Sequence, residues 1–79
     1  MKYTNGTLVQ FQSIVDKDSA EIQQLIRSMI ESIIESAKND FTKHFPCTPY
    51  AFKTESVSNM LNEYSSTLFV TLVYTITYN

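Results

Sequence analysis

The chain has 79 residues, 43% of them apolar and 18% charged, which allows one small globular domain and argues against disorder. Six basic residues against eight acidic ones leave a formal net charge of -2, and the cations Lys2, Lys17, Arg27, Lys38, Lys43 and Lys53 are scattered. That distribution argues against nucleic-acid binding through phosphate neutralisation, and the carboxylates are too sparse to mimic a nucleic acid.

One cysteine cannot form an internal disulfide, which suits a reducing interior. Residues 1 to 15 lack the charged head and apolar run of a signal peptide, and no stretch approaches the roughly 18 apolar residues of a membrane span. A soluble, cytoplasmic protein with no membrane partner is expected. Nine Ser, nine Thr, five Asn and four Gln, set against a single Gly, give a surface that is polar but weakly charged.

In chain order, Asn5-Gly6 suits a tight turn leading into a first strand, Thr7 to Val15. In that strand Val9, Phe11 and Val15 take one face and Leu8 and Ile14 the other. Asp18, with Glu21 three residues on, predicts a capped helix start. Ile22, Leu25, Ile26, Met29, Ile30, Ile33, Ile34, Ala37 and Phe41 then recur at helical spacing over an arc of about 180°, wider than the roughly 100° that one sheet covers. A flank of Ile30 and Ile34 with Phe41 is therefore expected to stay uncovered. The opposite arc holds Arg27, Glu31, Glu35 and Lys38, with Arg27 and Glu31 spaced for an ion pair.

Pro46 and Pro49 end the helix. From Tyr50 to Ser58 a weak alternation of Phe52, Thr54 and Ser56 competes with the helical spacing of Val57, Met60, Leu61 and Tyr64, and a strand followed by a loop is favoured. The last element is a strand of strict period two. Leu68, Val70, Leu72, Tyr74, Ile76 and Tyr78 lie on one face, and Phe69, Thr71, Val73, Thr75 and Thr77 on the other. The fold class predicted is α+β: a β-α-β-β unit with one long amphipathic helix on a three-stranded antiparallel sheet of order 1-3-2. Leu8 and Ile14 are expected near the exposed face of that sheet.

Chemistry-bearing constellations are few. Asp40, His44 and Cys47 fall short of the four ligands of a structural zinc site. Cys47 with His44 lacks an oxyanion-hole loop, and its simpler role is as a small apolar residue against Phe45. One glycine rules out a glycine-rich phosphate cradle. Five Tyr and five Phe lack the interleaved cations of a base-stacking platform. Ser28, Ser32 and Ser36 make a small-residue line that a neighbouring helix could approach.

No enzyme, metal or cofactor is therefore expected. A small core, a wide helix arc and an apolar second sheet face point to a protein-interaction module binding itself, as a homo-oligomer, or a partner protein. The expected interface residues are Ile30, Ile34, Phe69, Thr71, Val73, Thr75 and Thr77. An accessory protein of a phage or mobile element that inhibits a host protein fits the same features. The element order also resembles that of the dodecins, small assemblies in which such a unit oligomerises and stores flavin between stacked aromatic residues. The resemblance implies an oligomeric flavin- or nucleotide-binding protein; the chain departs from it in having no Trp and no glycine in the hairpin segment.

Overall fold

The computed structural model describes residues Met1–Asn79 and contains β1 (Lys2–Ser13), α1 (Ser19–His44), β2 (Tyr50–Asn62) and β3 (Thr67–Tyr78). β1 and β2 each pair antiparallel with β3, so the sheet order is β1-β3-β2, with α1 packed on one face. The chain is an α+β unit of the predicted order and topology.

α1 starts where predicted, because the Asp18 carboxylate accepts a hydrogen bond from the Glu21 N–H at 2.8 Å. It ends at Phe45, whose N–H donates to the Phe41 carbonyl at 2.8 Å before Pro46 removes the next donor. Lys43 and His44 occupy the last turn, where the backbone dipole favours cations. At about 1.5 Å per residue its 26 residues span about 39 Å, matching the roughly 40 Å of a 12-residue strand. One helix therefore runs the length of the sheet.

All eight buried residues belong to α1 or β3: Met29, Ile33, Ala37 and Phe41 from the helix, Leu68, Val70, Leu72 and Ile76 from the strand. Met29, Leu68 and Val70 form one cluster, joined by Ile14, Leu25, Ile26 and Ile30. Ile33, Ala37 and Leu72 form the other, joined by Leu8, Ile34, Phe52 and Tyr74. Phe41 departs from expectation. It is buried, not left on an open flank, because the rings of Phe45, Tyr50 and Tyr78 surround it at 5.0, 4.8 and 5.2 Å.

β1 differs from its sequence reading in two respects. It begins at Lys2, so Asn5-Gly6 lies inside the strand and makes no turn. Gly6 stands opposite Tyr74, and a Cβ there would overlap the Tyr74 ring, which stacks on Phe52 at 5.3 Å on its other side. The glycine is needed for close approach, while the left-handed turn positions fall to Asp16, Cys47 and Ser66, at φ 63°, 62° and 48°. Leu8 and Ile14 also lie on the helix side, packed on the two clusters, and it is Val9 and Phe11 that join the exposed face.

β2 continues as a strand to Asn62. A register shift between Thr54 and Ser56 sets Glu55 outside the pairing and reverses the side-chain phase, so Phe52 and then Val57 both point toward α1. Asn62 closes the hairpin, its Oδ1 accepting from the Tyr64 and Ser65 N–H groups at 3.0 and 3.3 Å. Cys47 is exposed and not packed as expected, and the ion pairs formed are Asp40–His44 and Lys53–Glu55, with Arg27 and Glu31 unpaired.

Ile33→Ala is expected to cost about 2–5 kcal/mol in urea unfolding, since the side chain is fully enclosed. Gly6→Ala is expected to cost about 1–3 kcal/mol through overlap with Tyr74. In a Tyr74→Val background that penalty should shrink below about 0.5 kcal/mol, and a double-mutant cycle measures the difference.

Candidate protein interface

Strand pairing assembles the face of the sheet opposite α1 into six cross-strand rows. The first is Ser13–Thr67–Asn62, followed by Phe11–Phe69–Met60, Val9–Thr71–Ser58, Thr7–Val73–Ser56, Asn5–Thr75–Lys53 and Tyr3–Thr77–Ala51. Phe11 and Phe69 lie in tilted contact with ring centroids 6.0 Å apart. Phe11 is 72% exposed, Met60 63% and Val9 55%, whereas Phe69 and Val73 on the central strand are half-buried by their neighbours. Large apolar groups thus gather near one end of the face, inside the polar Ser13–Thr67–Asn62 row, and hydroxyls fill the middle. Thr75 Oγ1 donates to Asn5 Oδ1 at 2.8 Å, so part of that polar surface is already satisfied within the chain. The charges Lys53 and Glu55 are confined to β2, 3.8 Å from each other.

Of the seven interface residues expected from sequence, the structure brings five together: Phe69, Thr71, Val73, Thr75 and Thr77 share this face and are half-buried. Ile30 and Ile34 lie on the other side of the sheet. Ser32 faces β1, where Gln10 Nε2 approaches its hydroxyl at 3.5 Å, and helical geometry turns Ile34 toward β2, where Lys38 also reaches over the Phe52 ring at 5.3 Å. Because α1 lies mainly over β1 and β3, Val57 and Leu61 on the helix side of β2 stay partly exposed.

Phe11, Val9 and Met60 are absent from the sequence-based set. The alternation that pairs Val9 with Phe11 is visible in the sequence, but its assignment to the open face needs the β1–β3 register. The phase reversal at Glu55 conceals Met60.

Titratable groups are sparsely arranged. His44 Nδ1 lies 2.9 Å from the Asp40 carbonyl oxygen and 3.8 Å from its carboxylate, and both side chains are well exposed. Cys47 sits apart in the following turn, and no group of three or more His, Cys, Asp or Glu side chains comes together. The stacked Phe52–Tyr74 pair has Lys38 over one outer ring and Gly6 against the other, so both of its outer faces are occupied.

The chain is elongated, 46 × 18 × 17 Å, with a radius of gyration of 14.7 Å against about 12 Å for a compact domain of this length. Its accessible surface of 5696 Å² exceeds by about 800 Å² the roughly 4,900 Å² of a compact monomer of this mass. No helix is long and apolar enough to cross a membrane. No protein-family model, curated protein or solved structure matches the chain.

Phe11→Ser is expected to change unfolding free energy by less than about 1 kcal/mol, the scale of a cross-strand aromatic contact. Leu68→Ala, on the enclosed face of the adjacent strand, should cost about 2–5 kcal/mol. Urea titration of the two variants checks the contrast.

Proposed function

We propose that this chain is a non-catalytic protein-interaction module that docks a protein, a second copy or a different partner, through the open face of its sheet. The observation that carries this reading is the Phe11–Phe69–Met60 row, with Val9 beside it. Three large apolar side chains from three strands, Phe11 and Met60 exposed and Phe69 half-buried between them, form a contiguous strip that contributes little to the chain's own core. Apolar groups ringed by hydroxyls and amides suit a docking surface, because neutral polar groups are cheaper to desolvate than charges and can re-form hydrogen bonds across an interface. The lone thiol suits a reducing compartment, in keeping with a cytoplasmic partner. Blocking a host protein's surface, as an accessory inhibitor does, requires no more equipment than this face.

Affinity capture from the native cell, run in parallel with wild type and the Phe11→Asp/Met60→Asp variant, tests the proposal. A protein retained at stoichiometric yield by wild type and lost by at least about tenfold in the variant is expected, since burying an unpaired carboxylate costs several kcal/mol. Identical retention by both proteins, with Glu31→Lys on the solvent side of α1 as control, would sink it.

A further inference from the structure

We infer that the free edge of β1 pairs antiparallel with β1 of a second copy of this chain, about a twofold axis at Leu8, giving a six-stranded sheet of order β2-β3-β1-β1-β3-β2. This rests on the reading that the sheet mediates association and adds the edge, the partner and the register.

The ladder geometry defines which groups are free. The Ile14 N–H donates to the Ser66 carbonyl at 2.8 Å, and Ile14 stands opposite Ser66 when the register Ser13↔Thr67 is continued by one residue. Even-numbered residues of β1 therefore exchange hydrogen bonds with β3. Tyr3, Asn5, Thr7, Val9, Phe11 and Ser13 turn their N–H and C=O groups outward.

The two edges of the sheet are unequally protected. β2 carries the register shift at Glu55 and the charges Lys53 and Glu55, the devices that discourage edge pairing. Between Tyr3 and Ser13, β1 has no charge, no proline and no irregularity in its pairing. It is a long, regular, neutral edge.

One register uses every outward group. With Tyr3 opposite Ser13 of the partner subunit, Asn5 opposite Phe11 of the partner subunit and Thr7 opposite Val9 of the partner subunit, the strands exchange about twelve hydrogen bonds. The same register sets Leu8 against Leu8 of the partner subunit on the helix side, extending the apolar clusters across the seam. Twofold symmetry makes that contact self-complementary.

The helices accommodate it. α1 lies mainly over β1 and β3, so two copies related in this way carry their helices antiparallel at about 10 Å, the usual packing distance. The flank of α1 toward β1 bears Ser32, next to Gln10, and Ser36 one turn on, level with Leu8. Small side chains stand where the helices come closest. The side wall of the molecule, 46 Å long and about 17 Å deep, offers on the order of 800 Å², the share each partner contributes to a standard stable interface.

Light scattering of the full chain together with amide exchange tests the proposal on the wild-type protein. Expected are a dimer and exchange at Asn5, Thr7, Val9 and Phe11 slowed about tenfold or more on raising the concentration from micromolar to millimolar. In a Cys47→Ser background, Leu8→Cys should give a disulfide-linked dimer under mild oxidation and Val57→Cys should not, since directly opposed Cα atoms in a pair of this type lie about 4.5 Å apart. A monomer at millimolar concentration, or a dimer that Phe11→Asp dissociates and Leu8→Cys fails to link, overturns the edge pairing. In the monomer case the open-face reading still stands or falls on its own capture experiment. A dimer that persists in Phe11→Asp/Met60→Asp while the captured protein is lost supports both.

Discussion

The seam between α1 and β3 is the contact on which the rest of the molecule depends. Every fully buried side chain lies on it, four from the helix and four from the strand. β1 and β2 contribute only half-buried groups from their helix-facing sides, so each is held chiefly by its hydrogen-bond ladder to β3 and by the edge of a core that others build. A layer this thin encloses one face of the sheet and leaves the other to solvent or to a partner. The elongated shape follows: a 26-residue helix on strands of 12 and 13 residues makes a long, narrow slab with a high ratio of surface to interior.

The elements whose burial is uniform along their length were legible from residues alone. β3 alternates without interruption because it is central, with one face against α1 and the other against flanking side chains, and α1 repeats its apolar residues because one stripe meets the sheet throughout. Where a second constraint intervenes, periodicity misleads. The bulge at Glu55 joins two stretches of opposite phase, so that β2 reads as a strand that decays into something helical. At Asn5-Gly6 the dipeptide carries a turn signature, but the glycine answers to a tyrosine on the neighbouring strand, 68 positions later. Burial of Phe41 depends on Tyr50 and Tyr78 arriving from two other elements. Of the open face, the central strand's share was visible, and the share of β1 and β2 had to wait for register.

Composition gains a location in this fold. Hydroxyl side chains occupy the middle rows of the open face through Thr7, Thr71, Thr75, Ser56 and Ser58, while the carboxylates and amines sit on the solvent side of α1, at Lys2 of β1, on β2 and in the loops. That arrangement leaves Lys53 as the one charged side chain in the cross-strand rows of the surface the helix leaves free. It also gives the sheet a graded character, aromatic and thioether groups at the end near the β2–β3 hairpin and polar groups toward Tyr3.

The position of β3 in the chain bears on how the molecule comes into being. It is the last of the four elements in order and the middle one in space, and β1 and β2 have no pairing with each other. During synthesis the apolar arc of α1 and both outer strands are complete before the element that unites them has emerged. Until then no sheet exists and no core closes, so folding waits on contacts between distant parts of the chain and proceeds as one late, cooperative event. In that interval the same strands and helix arc are open to chaperones and to other copies, which makes the nascent chain more vulnerable than its size suggests.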